Sequence, residues 1–464
     1  MNILIGITIL LVLMLSDSMS GAFCTELGGS PHALSLVGAF LLTLVSPFLA
    51  AIQVFAYRLT DSKTQSYEEQ LVYARHSALL HTMVWFAASL ATIFLAKWHE
   101  VVRVAWQLHE SVLLDELIIL SPILISLISS WAIFFDQYEW MDSSKSRLRG
   151  RYEYVSLRCK VYLLVVLVPI LIMVLIKDTW PYLNQISPIV AGTVAVIAVS
   201  AMLCCMPLIV RLMWTNRTIR ESEGRTELLE LCDRHRMAVR DIRVWETGNR
   251  VMNALVAGIF PRLRVLMVSD LLIKTFPTNE LKAILRHEAG HVRLNHLPIR
   301  VGFVFLPALA MVALETSPNN VLHNFLMTLN QDGLMPLNPS LVLGLIFISY
   351  ILLITAWLSK NMEFEADLYA IGAIGRPDNR VAFEDSIPNN AQSMADALLR
   401  FGAEYPEQLD KRSITHPSLN DRIAMILAAE SQPELIKRFR FRFSACQIAI
   451  ALAIPVATAL LLVV

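Results

Sequence analysis

Long apolar runs alternate with polar stretches along this chain, and the runs predict its architecture. A helix needs roughly 20 mainly apolar residues to cross a bilayer, because each backbone N–H and C=O must find its partner within the helix. By that criterion the sequence predicts eight membrane helices, near 34–56, 78–96, 117–136, 161–176, 188–210, 300–316, 341–358 and 446–464. We interpret a shorter run at 3–15 as a short membrane helix, because it lacks the basic start and cleavage site of a signal peptide.

The composition also indicates a membrane protein. Hydrophobic residues make up 55% of the 464 residues, and the mean hydropathy is +0.54; both are too high for an ordinary soluble protein. Lys+Arg and Asp+Glu both total 39, so the zero formal net charge gives no general attraction for nucleic acid. The six cysteines contain no CxxC pair, which favours packing positions over a disulfide framework or a cysteine metal site.

The distribution of basic residues predicts the orientation in the membrane. Cytoplasmic loops hold the excess of Lys and Arg, and the most basic loop lies between the third and fourth predicted helices, at 145–160. Alternation from that loop puts the polar segments 211–299 and 359–445 on the cytoplasmic side, and the basic run at 437–442 agrees. We therefore expect an integral, multi-pass protein of the cell's inner (plasma) membrane, with both polar segments facing the cytoplasm.

Local patterns within the two polar segments predict a small mixed structure. The pattern predicts helices from 221, from Pro277 and over 360–373 and 391–403, strands at 242–245 and 264–269, and loops at 248–258 and 375–390. Pro277 and Thr278 are typical of a helix start, and Glu280 then lies in the first turn, where the helix dipole favours a negative charge.

The helix that begins at Pro277 carries the residues His287-Glu288-Ala289-Gly290-His291. On a helix, positions i and i+4 share one face, so the imidazoles of His287 and His291 can bind one metal ion together. Glu288 then lies beside the metal but outside its direct ligands, where it can take a proton from a metal-activated water and pass it to the leaving amine. This pattern predicts a zinc-dependent hydrolase with one Zn²⁺ per chain.

A catalytic zinc site needs a third protein ligand and one open position. We predict Glu363 as that ligand, because it follows the span at 341–358 on the same side of the membrane as the histidines. Asp367 lies one helical turn further on, where it can hydrogen-bond a ligand imidazole. Two alternatives stay open: Glu365 binds instead, or both glutamates are solvated. His296 lies off the ligand face and is predicted to be a surface or capping histidine.

Five blocks of the sequence resemble one known family, the membrane zinc metallopeptidases that include the CAAX prenyl proteases and the heat-shock protease HtpX. The blocks are Asn253-Ala254, Arg264 to Asp270, His287 to His291 with Asn295-His296, Glu363 to Asp367, and Thr415-His416-Pro417-Ser418 with Arg422. They cover about 221–300 and 360–425, and the Asn295-His296 and Glu363-Phe364 details are nearer the prenyl-protease branch. The first 210 residues match no pattern of either branch, so the resemblance does not assign prenylated substrates.

The resemblance implies a role for each matching residue. Glu288 would be the general base, Glu363 the third zinc ligand, and Asp367 its supporting acceptor. His416 and Arg422 would hold the substrate or the negative charge that develops on its carbonyl oxygen, a charge that donors near zinc stabilise. From the residues alone, His416 fits the start of a helix equally well.

A substrate site is predicted along the strand at 264–269. An extended peptide can add to a free strand edge, and Gly290 would allow its backbone to approach closely. The predicted substrate-binding residues are Asn253, Ala254, Val265, Leu266 and Met267.

Together these observations predict a mainly α fold: a polytopic helical membrane protein with a zincin-like α+β metallopeptidase domain that carries a small β-sheet. The predicted domains are a multi-span region at 1–210, the metallopeptidase halves at 211–299 and 359–445, a two-span hairpin at 300–358 and a C-terminal membrane helix at 446–464. The predicted function is zinc-dependent endopeptidase cleavage of peptides or membrane proteins at the cytoplasmic face. The alternative is a membrane sensor of the β-lactam receptor kind that cleaves a single partner; the short predicted outer loop at 317–340 disfavours it.

Overall fold

The structure is a computed structural model that describes most of the chain, namely 2–19, 31–59, 67–138, 147–239, 241–249, 251–315, 339–375, 387–411, 413 and 415–463. The chain forms two compact units, Met1–Met202 and Leu203–Val464. Helices dominate both units, and a single four-stranded sheet lies in the second within the described residues. The predicted fold class is therefore confirmed.

The described residues of the first unit are mainly helical. They are α1 (Asn2–Met19), α2 (Pro31–Leu59), α3 (Tyr67–Phe94), α4 (Leu114–Tyr138), α5 (Arg147–Arg158), α6 (Val165–Ile186) and α7 (Pro188–Met213), whose last residues belong to the second unit. Short helical turns cover Trp98–Glu100, Val101–Ala105, Leu108–Glu110 and Cys159–Leu164. Pro122 lies inside α4 and has no N–H for the Ile118 carbonyl, which accepts the indole N–H of Trp98 at 3.1 Å instead.

Six helices are long and apolar enough to cross a membrane: Ala33–Leu59, His76–Phe94, Leu114–Asp136, Gly150–Ile186, Leu345–Ala370 and Pro433–Ala459. Each overlaps a predicted span. The predicted span at 188–210 falls on a helix pair bent by 51°, and those at 300–316 and 3–15 fall on the shorter apolar helices His296–Pro307 and Leu4–Asp17. Most of the predicted loops at 317–340 and 375–390 lies outside the described residues.

The second unit combines helices with the small sheet. Its helices are α8 (Arg225–Arg234), α9 (Asp270–Thr275), α10 (Thr278–Arg293), α11 (His296–Glu315), α12 (Pro339–Ala370), α13 (Ile387–Glu404), α14 (Leu419–Ser431) and α15 (Pro433–Val463). Its strands are β1 (Asn216–Thr218), β2 (Ile242–Trp245), β3 (Ala254–Ala257) and β4 (Val265–Ser269). Single turns of 3-10 helix lie at Glu221–Glu223, Pro261–Leu263 and Pro406–Gln408.

The sheet has the order β1-β2-β4-β3, with β4 parallel to β2 and antiparallel to β3. The predicted strands at 242–245 and 264–269 correspond to β2 and β4. The prediction of a loop over 248–258 is wrong, because β3 lies within it. The four residues of β3 are too few to show a clear alternation of apolar and polar positions. They form a strand because their backbone pairs with β4.

A single helix, α12, joins a predicted span to the predicted zinc ligand. Its 32 residues extend about 48 Å at 1.5 Å per residue, more than the roughly 30 Å hydrocarbon core. The predicted span at 341–358 and the predicted helix at 360–373 are therefore parts of one rigid rod. Glu363 lies on that rod beyond the predicted span, at the level of α10.

Candidate metal centre

Helices α10 and α12 bring three metal-binding side chains together. His287 Nε2 lies 3.2 Å from His291 Nε2 and 3.6 Å from Glu363 Oε2, and His291 Nε2 lies 3.7 Å from Glu363 Oε1. A tetrahedral zinc ion with ligands at about 2.0–2.1 Å holds its donor atoms roughly 3.3 Å apart. Two imidazole nitrogens and a carboxylate are also a donor set typical of zinc hydrolases. The geometry and chemistry of these residues fit a zinc ion.

Close contact between α10 and α12 depends on Gly290. A Cβ atom at this position would lie 3.0 Å from Ala366 Cα and 3.1 Å from both the Ala366 carbonyl oxygen and Tyr369 Cβ. Ala366 lies between Glu363 and Asp367, so the contact sets the distance from the two histidines to both acidic residues. The space beside Gly290 is filled by α12, and our prediction that this glycine admits a substrate backbone is wrong.

Asp367 and Arg422 support the first histidine. Asp367 Oδ1 lies 2.8 Å from His287 Nδ1, and the Arg422 guanidinium donates to both Asp367 oxygens at 2.6 and 2.8 Å. An acceptor at Nδ1 keeps the proton there and leaves the Nε2 lone pair for a metal. Asp367 is fully buried and Arg422 is 9% exposed, so each of the two buried charges neutralises the other.

Opposing effects act on the protonation of the two histidines. Burial lowers the pKa of His287, but the hydrogen bond and charge of Asp367 outweigh it and raise the pKa overall. Burial, followed by the neighbouring His287, holds the pKa of His291 well below its usual range. His291 is therefore neutral and able to bind a metal over the physiological pH range, whereas a metal at His287 competes with a proton.

Glu288 lies next to this cluster and also contacts the sheet. Its side chain is half-buried, and it is hydrogen-bonded to the backbone of Val256 in β3. Burial, with a further contribution from the Glu363 charge, raises the pKa of Glu288 to about 7. A carboxyl group with a pKa in this range can both accept and release a proton near neutral pH.

The predicted substrate strand has its partners on both sides. β4 lies between β2 and β3, and Val265, Leu266 and Met267 are 4%, 0% and 1% exposed. Our prediction that these three residues contact substrate along a free edge is wrong, because β4 is the buried central strand. The edge beside Glu288 belongs to β3, which begins at the predicted residue Ala254 and directly follows Asn253.

Two further predicted residues contact Glu363. His416 Nδ1 lies 3.4 Å from Glu363 Oε1, and Arg422 Nη1 lies 3.3 Å from Glu363 Oε2. The side chain of His416 is 59% exposed, whereas that of Arg422 is buried between Glu363 and Asp367. His416 is thus the more accessible donor next to the metal-binding atoms, and Arg422 faces the acidic residues of α12.

His296 and Glu365 contact each other in an arrangement that the sequence patterns did not predict. The prediction of a surface position for His296 is wrong, because this residue is 2% exposed and its Nδ1 lies 2.8 Å from His291 Nδ1. Glu365 Oε2 lies 3.2 Å from His296 Nε2. Positive φ at Asn295, +57°, ends α10 and turns the chain back so that His296 reaches His291. The Asn-His pair after the motif was the one sequence signal of this turn.

Comparisons with known proteins show what this region is similar to. Residues 223–430 match the model of peptidase family M48. Protease HtpX of Vibrio atlanticus is 24% identical over 198 residues, covering 40% of this chain and 62% of the relative. A protease HtpX homologue of Desulfotalea psychrophila is 26% identical over 196 residues, covering 40% of this chain and 67% of the relative. The chain thus matches less than two thirds of the length of the Vibrio relative.

A solved structure is also similar to the chain. The crystal structure of S. mikatae Ste24p aligns with 86% of this chain and 100% of its own, at 16% identity and a TM-score of 0.49. The matched region at 223–430 contains every predicted metal-site residue, and the helices around it are long enough to cross a membrane. The matching family model and the HtpX relatives confirm the predicted resemblance to membrane metallopeptidases of the HtpX type.

Proposed function

We propose that this multi-pass membrane chain, whose residues 223–430 match the model of peptidase family M48, is a zinc-dependent membrane endopeptidase. The observation that carries the proposal is the convergence of His287, His291 and Glu363 at zinc-site distances with Glu288 beside them. The ligands would be the Nε2 atoms of the two histidines and the Glu363 carboxylate. When bound, zinc would lower the pKa of a water molecule and polarise the scissile carbonyl group.

Glu288 acts in this proposal as the general base and then as the general acid. It follows His287 directly on α10, so its carboxylate lies beside the metal ligands without belonging to them. As base it takes a proton from the attacking water, and it later passes that proton to the leaving amine nitrogen. Its half-buried position next to Glu363 supports the raised proton affinity that both transfers require.

The β3 edge would hold the substrate. Among the residues that the structure describes, β3 is the last strand on its side of the sheet, and Glu288 is hydrogen-bonded to the backbone of Val256 within it. An extended peptide that adds to this edge would run past the general base, with its main chain recognised independently of sequence. Asn253 and Ala254 would lie at one end of it. His416 would donate to the developing oxyanion, while Arg422 would hold Asp367 and Glu363 in place.

The membrane context suggests the class of substrate. Glu363 lies on α12 beyond the predicted span at 341–358, near the end of Leu345–Ala370, the stretch of this helix that is long and apolar enough to cross a membrane. We therefore infer that membrane proteins or peptides reach the site at a membrane surface. The excess of basic residues in the predicted inner loops supports the cytoplasmic surface.

The first experiment measures bound zinc and cleavage of an unstructured test protein by the detergent-purified chain. We expect Glu288→Gln to retain zinc and lose cleavage, and Glu363→Ala to lose zinc. Glu230→Gln is the matched control, because Glu230 is 58% exposed on the surface of α8; it should keep both properties. A parent protein without bound zinc would disprove the proposal. A parent that binds zinc but does not cleave would favour the sensor alternative, with a single partner as substrate.

A further inference from the structure

His296 and Glu365 form a hydrogen-bonded chain that ends on a proposed zinc ligand. Glu365 Oε2 lies 3.2 Å from His296 Nε2, and His296 Nδ1 lies 2.8 Å from His291 Nδ1. His296 is 2% exposed and Glu365 is 7% exposed. Arg440 of α15 lies 3.7 Å from the other Glu365 oxygen. From this geometry, which rests on the proposed zinc site, we propose that His296 and Glu365 are positioning residues that set the tautomer of His291.

The argument follows from the donors and acceptors along the chain of contacts. Two Nδ1 atoms at 2.8 Å share one proton, so one ring donates and the other accepts. A deprotonated carboxylate only accepts, so Glu365 requires the proton of neutral His296 on Nε2. His296 Nδ1 is then the acceptor, and His291 must donate from its own Nδ1. The consequence is a bare Nε2 on His291, directed at His287 and Glu363.

The opposite arrangement would block metal binding. If His296 donated from Nδ1, His291 would carry its proton on Nε2, the atom that lies 3.7 Å from Glu363 Oε1. The bare Nε2 of His296 would then face the Glu365 carboxylate, lone pair against lone pair. For a neutral His296 ring, the Glu365 carboxylate disfavours this state, so a charge two contacts away prepares His291 for the metal.

The three acidic residues of α12 therefore have different roles at the proposed zinc site. Asp367 orients His287 directly, Glu365 orients His291 through His296, and Glu363 lies between them as the proposed ligand. Glu365 points to a different side of α12 from Glu363 and Asp367. It still acts on the site because the turn after α10 brings His296 to that side of α12.

The test compares zinc affinity, measured by competition with a chelator, with the melting temperature of the metal-free protein. His296→Phe retains a ring but offers no acceptor, and we expect its zinc affinity to fall about 10–100-fold. His296→Gln offers a carbonyl oxygen and should recover part of that loss. Glu365→Leu should also weaken zinc binding in the parent, but it should add little to His296→Phe, because its effect passes through His296.

His235→Phe is the matched control, since His235 is another buried histidine of the same unit, 1% exposed and 3.1 Å from the Tyr369 hydroxyl. We expect it to lower the melting temperature and leave the zinc affinity unchanged. Parental zinc affinity in both His296→Phe and Glu365→Leu would overturn the inference and leave the zinc site intact. Equal losses in His235→Phe would also overturn it, by showing general destabilisation. A parent without zinc affinity would overturn the proposed function as well.

Discussion

The contact between α10 and α12 at Gly290 predicts that one added methyl group will disturb the metal site. In Gly290→Ala the new Cβ would lie 3.0 Å from Ala366 Cα and 3.1 Å from the Ala366 carbonyl oxygen. Both are backbone atoms, which cannot rotate out of the way as a side chain can. Overpacking of this kind costs typically about 1–3 kcal/mol, and α12 must move by a few tenths of an ångström to relieve it.

The helix propensity of alanine acts in the opposite direction and needs a control. Alanine in place of glycine stabilises a helix interior by about 1 kcal/mol. Gly302→Ala in α11 should show this gain alone, because a Cβ there meets nothing within 4 Å among the described residues. The free energy of unfolding should therefore be lower in Gly290→Ala than in Gly302→Ala by about 1–3 kcal/mol.

Denaturant unfolding of the two detergent-solubilised variants measures this difference, and chelator competition measures their zinc affinity. We expect weaker zinc binding in Gly290→Ala, because Glu363 and Asp367 move with the backbone of Ala366 while the histidines stay on α10. Equal stability of the two variants, together with parental zinc affinity, would refute the role of Gly290 as the contact that sets the spacing of the site.

Three further predictions follow from other contacts in the second unit. Arg422→Lys keeps a positive charge but loses the paired contacts with Asp367, and we expect zinc affinity to fall about 10–100-fold; parental affinity in a chelator competition would show that charge alone suffices. Burial, followed by the charge of Arg286, lowers the pKa of His235 from 6.5 to about 4. Between these two pH values the unfolded chain binds a proton at His235 that the folded protein does not, so the free energy of unfolding is highest above about pH 6.5 and declines as the pH falls towards 4. Unfolding at about pH 5 should therefore cost about 2 kcal/mol less than at neutral pH, and His235→Phe should lack this part of the decrease. Removal of the proposed zinc should lower the melting temperature of the parent, because a ligand that binds the folded state more tightly than the unfolded state stabilises it, and should leave that of Glu363→Ala unchanged.

Local signals predicted the parts of the molecule whose physics is local. An apolar run of about 20 residues is most readily accommodated as a membrane helix, because the helix pairs every backbone N–H and C=O within itself. Six of the predicted spans correspond to long apolar helices. The spacing of His287 and His291 likewise depends only on the helical repeat. Glu363 was identifiable because the alternation of spans put its segment on the same side as the histidines.

Features that depend on tertiary pairing escaped the sequence analysis. β4 carries the expected strand pattern, but only the observed order shows that β3 covers its edge. β3 has four residues and no periodicity long enough to separate a strand from a loop. Helical spacing predicted that His296 lies off the face that carries His287 and His291. The turn at Asn295 nevertheless brings its ring into contact with His291, and helical periodicity cannot predict a contact made through a turn.

The arrangement of charges explains why metal, fold and chemistry depend on one another here. Glu363 and Asp367 are 6% and 0% exposed, and Arg422 compensates one of their two negative charges. Uncompensated charge is costly inside a protein, and a divalent cation at the three converging donors would offset it. Because the donors come from α10 and α12, the same ion would join the two helices that Gly290 brings into contact. Zinc affinity should thus respond to residues that do not touch the ion, provided they position one of these helices or the proton of one histidine.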